Sequence, residues 1–136
     1  MTNKLLSSII PVYNVEAYLR KCLDSLLLPQ KWMDKLEVVV VNDGSPDNSL
    51  SIAKEYAWKY PVTFRIIDKK NGGHGSAWNV GLKEAKGKYV KFLDSDDWLE
   101  NLSSLMDKLQ GNEADIIFCK KTHYFSETKT IQECSA

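Results

Sequence analysis

Three carboxylates crowd into four positions, Asp94, Asp96 and Asp97, directly after the short apolar run 89–93. Like charges this close repel one another, so the spot favours a divalent cation. Carboxylate oxygens suit the hard ions Mg²⁺ or Mn²⁺, which keep water or substrate phosphates in their remaining positions. The aromatic and β-branched run 89–93 predicts a buried strand, and Asp94, Ser95, Asp96 and Asp97 then leave its C-terminal end. In an open parallel sheet ligands bind at that end. The other reading is a helix N-terminus, with Asp96 or Asp97 capping a helix that starts near Leu99. This stretch alone leaves both open.

A second carboxylate stands in the same kind of place. The run 36–41 contains four successive valines, as expected of a strand covered on both faces, and it ends in Asn42-Asp43-Gly44-Ser45-Pro46-Asp47. Asp43 either closes an Asx-type turn or accepts hydrogen bonds from a ligand lying across the strand ends. Two converging acidic strand ends favour the ligand role. Gly44 suits a tight turn, Ser45 a helix cap and Pro46 a first helical position.

A third chemical stretch is Asn71-Gly72-Gly73-His74-Gly75-Ser76-Ala77-Trp78-Asn79-Val80-Gly81. Its three glycines in four positions let backbone approach a ligand, and it leads into a helix N-terminus, a ready anion site. The spacing is not the dinucleotide fingerprint, and no P-loop sequence occurs. His74 either touches a phosphate or flanks a turn, the turn being preferred. Trp78 and Asn79 are open between packing and ligand contact.

The elements that must carry these groups follow from apolar spacing. The segment 5–12 predicts a strand, with Asn14 as N-cap of the next element. Val15, Tyr18, Leu19, Cys22, Leu23, Leu26 and Leu27 form one helical face that Pro29 closes. Glu16 falls in that helix's first turn, where an acid complements the dipole; ligand contact there stays open. Leu50, Ala53, Tyr56, Ala57 and Tyr60 predict a second helix, and 62–67 a third strand. Ala77, Val80, Gly81 and Ala85 give the next helix a small-residue face able to lie close to a sheet, with Gly87 as its stop. Leu99, Leu102, Leu105, Met106 and Leu109 predict another helix, 115–119 a strand, and 122–130 a polar strand or hairpin arm. Strands alternating with helices over short connections indicate an α/β fold with a mostly parallel central sheet flanked by helices.

The bulk properties narrow the function classes. A chain of 136 residues predicts one domain with a substantial core. Eighteen basic and eighteen acidic residues balance, which argues against a general nucleic-acid binder. The three cysteines, Cys22, Cys119 and Cys134, lack metal-ligand spacing and read as free thiols of a reducing, cytoplasmic compartment. No apolar run reaches the length of a membrane span.

With these residues in place, the chain resembles the N-terminal half of a family 2 glycosyltransferase of the GT-A fold, the Rossmann-like fold of nucleotide-diphospho-sugar transferases. The matching pieces are Ser8-Ile9-Ile10-Pro11-Val12-Tyr13-Asn14, Val41-Asn42-Asp43-Gly44-Ser45, the segment 71–81, and Phe92-Leu93-Asp94-Ser95-Asp96-Asp97. They occur in the family's order and spacing over roughly residues 5–110.

The resemblance implies an inverting hexosyltransferase that moves a sugar from a nucleotide-sugar, a UDP-sugar by preference, to a polysaccharide, lipid-linked or protein glycan acceptor. It implies nucleotide contacts from Pro11, Val12, Tyr13, Glu16, Asp43, Gly73, Ala77, Asn79, Asp94 and Ser95, with Asp43 accepting from a ring N–H of the base. Asp94 and Asp96 would be the catalytic pair holding Mn²⁺ or Mg²⁺ against the diphosphate, where a cation stabilises the leaving group. Trp78 departs from the family's common Ala-Arg-Asn at 77–79. The family's general base would lie beyond residue 136, so the chain is expected to be a piece truncated on its acceptor side and inactive alone; the parent would work in the cytoplasm or at the inner face of a membrane. Readings of other classes are a non-catalytic nucleotide-sugar-binding module and another metal-dependent nucleotidyltransferase.

Overall fold

The computed structural model describes residues 4–111, 119–123 and 130–134. The elements run β1 (Leu6–Val12), α1 (Glu16–Asp24), α2 (Gln30–Met33), β2 (Leu36–Asp43), α3 (Ser49–Lys59) and β3 (Phe64–Lys69). They continue with α4 (His74–Glu84), β4 (Tyr89–Phe92), α5 (Leu102–Leu109), β5 (Cys119–His123) and β6 (Thr130–Cys134). Four strands form an all-parallel sheet in the order β3-β2-β1-β4, and β5 and β6 form a separate antiparallel pair.

Every residue of β1 and β2 is buried, as their near-continuous apolar composition requires. Alternation then sorts the side chains. Ile10, Val12, Val38 and Val40 join the larger core with Leu19 and Leu23 of α1, Ile52 and Tyr56 of α3, and Leu102 and Met106 of α5. Ile9, Val39 and Val41 face the other way, onto Ala77 of α4. The small-residue face predicted for α4 makes that approach possible: a Cβ at Gly81 would collide with Cγ2 of Ile9.

Several boundaries differ from expectation, each for a local reason. The apolar face 15–27 does not make one helix. It stops at Asp24, where the Ser25 N–H turns back onto Leu23 and Lys21 and the Ser25 hydroxyl donates to the Cys22 carbonyl at 2.6 Å; Pro29 then opens α2. Asn14 is not the cap of α1. It adopts a left-handed backbone (φ 55°), and Val15 holds the N-cap position.

Nor do Ser45 and Pro46 start α3, which begins at Ser49; the Ser45 hydroxyl donates instead to the Val12 carbonyl at 3.3 Å. β3 starts two residues late, because Thr63 and Phe64 first turn back onto the Tyr60 carbonyl. Gly87 lies beyond the end of α4, which is already extended at Ala85. α5 begins at Leu102 behind a left-handed Asn101, so neither Asp96 nor Asp97 caps it. The expected strand 115–119 falls almost wholly outside the described residues. Within 122–130 the described part belongs to two paired strands rather than one, with 124–129 outside the description.

Candidate functional site

The strand order reverses between β1 and β4: β2 and β3 lie to one side of β1, and β4 to the other. Carboxyl ends of parallel strands at such a reversal leave a crevice that the connecting helices do not fill. A cleft of about 570 Å³ opens there, lined by Pro11, Val12, Tyr13, Val15, Asp43, Asn71, Gly73, His74, Ala77, Asp94, Ser95 and Asp96. Of the residues expected from the sequence, it therefore gathers the 11–13 backbone, Asp43, Gly73, Ala77 and the Asp94 cluster. It leaves out two. Asn79 is exposed on α4, and the Glu16 carboxylate accepts from the Asn48 N–H at 3.3 Å, at the head of α3.

One wall is built around Asp43, whose side chain is buried. Its Oδ1 accepts from Lys69 Nζ at 2.8 Å and from the Gly72 N–H at 2.9 Å. Its Oδ2 accepts from the Gly73 N–H at 3.0 Å, with Asn71 Nδ2 at 3.5 Å. Asp43 thus ties down the glycine-rich connector between β3 and α4, and Gly73 (φ 95°) supplies the backbone angle that brings both N–H groups to bear. Burial pushes the Asp43 carboxyl up, but the Lys69 ammonium and the two N–H donors outweigh it and hold it below the usual carboxylate range.

Behind this wall the loops cap each other's helices. Asp47 Oδ2 accepts from the Glu16 N–H at 3.0 Å, at the start of α1, while Glu16 reaches across to the start of α3. Asp47 Oδ1 takes the Ser49 N–H at 3.0 Å, and the Ser49 hydroxyl takes the Val15 N–H at 3.1 Å. Burial raises the Asp47 carboxyl, yet the Ser49 and Glu16 donors bring it below its ordinary range. This exchange satisfies orphan N–H groups at both helix starts, α3 in part from the adjacent Asp47 and α1 wholly from the distant loop.

The opposite wall is the turn after β4, closed by the Asp97 N–H donating to the Asp94 carbonyl at 3.0 Å. Asp94, Asp96 and Asp97 each offer a carboxylate oxygen, all within 4.8 Å of one another. The Cys22 thiol packs beneath and points at the Asp94 carbonyl, 3.7 Å away. Burial pushes that thiol far up, aided by the charges of Asp97, Asp96 and Asp94, so it stays protonated and inert. His74 begins α4 and faces the cleft, its Nε2 3.4 Å from Asp94 Oδ1, rather than merely flanking a turn. Trp78, one turn on, is half-buried against the His74 ring on one side and Phe92 on the other.

Sequence reasoning missed Lys69, Asn71 and Asp47 as parts of this site. Asp47 had a readable signal, an acid two residues before the Ser that starts a helix. Lys69 had none: its meeting with Asp43 depends on the register of β3 against β2.

Comparisons with known proteins bear on the family and the fold. The sequence model described as "Glycosyl transferase family 2" matches residues 7–136. The putative glycosyltransferase EpsH of Bacillus subtilis is 40% identical over 129 residues, covering 94% of this chain and 37% of that protein. Residues 1–349 of S. aureus TarS, solved in complex with UDP, superpose with a TM-score of 0.67 at 34% identity, over 78% of this chain and 32% of that one. The mannosyltransferase PcManGT from Pyrobaculum calidifontis, solved with GDP-Man and Mn²⁺, gives 0.68 at 27% identity, over 79% and 32%. The chain thus spans about a third of the length of these relatives. Among the described residues, no helix is long and apolar enough to cross a membrane.

Proposed function

The chain belongs to glycosyl transferase family 2 and has the GT-A fold, and from that premise we propose that its cleft binds the nucleotide-sugar donor of a sugar-transfer reaction. A UDP-sugar is the preferred donor, and a hydroxyl of a glycan or lipid-linked glycan the acceptor. The observation that carries this reading is the cleft itself. It sits where the strand order reverses, with the 11–13 backbone and Asp43 along one wall and the acidic turn of Asp94 and Asp96 along the other.

Each wall has its own task. The base lies against Pro11, Val12 and Tyr13 and donates a ring N–H to Asp43. Asp43 Oδ1 already accepts two short hydrogen bonds, whereas Oδ2 accepts one short bond and one at 3.5 Å, so Oδ2 is the atom with capacity left. Asp94 and Asp96 offer hard oxygen donors of the kind Mg²⁺ or Mn²⁺ takes, and they would hold that ion with Asp97 beside them. When bound, the ion neutralises charge that develops on the departing diphosphate. Because Asp94 and Asp96 serve the cation, neither is assigned as the base that deprotonates the acceptor.

The test is calorimetric titration of UDP, with GDP as comparator, with and without Mn²⁺, on the wild type and Asp96→Ala. Metal-dependent UDP binding that Asp96→Ala abolishes is the expected result. Failure of both nucleotides to bind with or without metal would sink the reading.

A further inference from the structure

We propose that His74 is the side chain that grips the donor's diphosphate, and that Trp78 acts as a positioning residue that holds His74 in place; this rests on the nucleotide-sugar reading above. Among the described residues that line the cleft, the acidic side chains are Asp43, Asp94 and Asp96, and the one basic side chain is His74. A diphosphate entering this space meets three carboxylates and needs donors from the chain. The nearby candidates are already engaged. Lys69 Nζ donates to Asp43 and to the Lys70 carbonyl, both at 2.8 Å, and Asn71 Nδ2 donates to the Asp43 carbonyl at 2.8 Å.

His74 is engaged more weakly. Its Nε2 is 3.4 Å from Asp94 Oδ1, beyond the usual range for a strong N–H to oxygen bond, and its side chain is 61% exposed. A small rotation would turn the N–H from the carboxylate to a phosphate oxygen beside it. The residue also opens the eleven-residue helix α4, whose partial positive charge favours an anion there.

What keeps the imidazole aimed into the cleft is aromatic packing. Trp78 lies one helical turn on, and its ring meets His74 edge to face, with centroids 5.1 Å apart at 82°. Behind it stands Phe92 of β4, 4.5 Å away at 64°. Two residues later the same strand leads to Asp94. The rings therefore link the first turn of α4 to the strand that delivers the acidic turn, and swinging His74 outward would forfeit the Trp78 contact.

The experiment follows uridine and UDP binding in the presence of Mn²⁺ by amide chemical shifts, which still read weak binding. The proteins are the wild type, His74→Ala, His74→Gln, Trp78→Ala and the His74→Ala/Trp78→Ala double variant. Loss of a hydrogen bond to a charged group predicts that His74→Ala weakens UDP about tenfold to a hundredfold. Uridine, which lacks the diphosphate, should bind that variant as it binds the wild type. His74→Gln keeps an N–H donor and should recover part of the loss.

Trp78→Ala should weaken UDP by a smaller factor, and the double variant should be no weaker than His74→Ala, because the tryptophan acts through the histidine. UDP binding unchanged in His74→Ala, or uridine and UDP falling together, would overturn the proposal. Full additivity in the double variant would overturn the role of Trp78. A wild type that binds neither ligand would instead remove the nucleotide-sugar reading, and this inference with it.

Discussion

Strand β2 carries a buried carboxylate near each end, and their likeness makes their difference useful. Glu37 lies at the amino end and Asp43 at the carboxyl end. Each meets a basic residue of β3, Glu37 with Arg65 at 3.5 Å and Asp43 with Lys69 at 2.8 Å. Each also accepts backbone N–H groups from a connector of α4. Asp43 takes Gly72 and Gly73 where the chain enters that helix; Glu37 takes Lys86, at 2.8 Å, where it leaves. The Ser7 hydroxyl completes the lower set, donating to Glu37 at 2.7 Å while accepting from the Gly87 N–H at 2.7 Å. Helix α4 is thus strapped to one strand at both of its ends.

Burial, a basic partner and backbone donors therefore do not by themselves mark a ligand site, since Glu37 has all three. What separates Asp43 is its place. It stands where the strand order reverses and lines the cleft that opens there, whereas Glu37 lies at the opposite end of the strand. The prediction is that the two carboxylates share a structural role and that Asp43 adds a binding role.

The largest effect is expected from Asp43→Ala, which strands Lys69 and releases the glycine-rich connector. Breaking one partner of a buried pair costs about 3–5 kcal/mol, read by urea unfolding, and UDP binding should vanish even where the protein remains folded. Glu37→Ala should cost stability on the same scale, through Lys86, Ser7 and Arg65, while its folded fraction binds UDP with wild-type affinity. If Glu37→Ala loses UDP binding as completely as Asp43→Ala, the comparison breaks.

A smaller effect is expected from pH at Asp43. The Asp43 carboxyl is held below its ordinary value of 3.8, so the unfolded chain takes up its proton first as pH falls. Its contribution is complete above that value and is lost as pH drops through the lower, folded one. Asp43→Asn should therefore flatten the acid limb of stability below about pH 4, measured as urea midpoints against pH. Asp47, also depressed, continues to contribute in the same direction. The smallest effect is expected at the surface. Arg20 and Glu55 form an exposed pair at 2.8 Å, and Arg20→Ala should leave both the urea midpoint and UDP affinity unchanged.

Much of this architecture is legible without coordinates, and the reason is periodicity. The valine run of β2 announces a strand covered on both faces, and the small residues of α4 announce a close approach that Gly81 and Ile9 realise. Carboxylates placed at the ends of such strands, Asp43 and Asp94, point to one edge of the sheet. Errors fell where a residue's role depends on a partner distant in the chain. Glu16 reads as an acid in its own helix's first turn, but its carboxylate serves α3; Asn14 reads as a cap, but Asp47 supplies the acceptor from another loop.

Apolar spacing alone does not show the break between α1 and α2. It does place the four parallel strands and α3, α4 and α5 to within a few residues, show the faces they bury, and bring acidic groups out at one end of the sheet. Those properties arise from repeats of two and about 3.6 residues, which any short window contains. That Asp43 and Glu37 both strap connectors of α4, that Asp43 also lines a cleft, and which helix Glu16 and Asp47 cap are legible only in the folded chain. Those outcomes depend on strand order and register. Lys69 meets Asp43 across 26 positions of sequence, and Gly73 meets it across 30, separations that no local pattern spans.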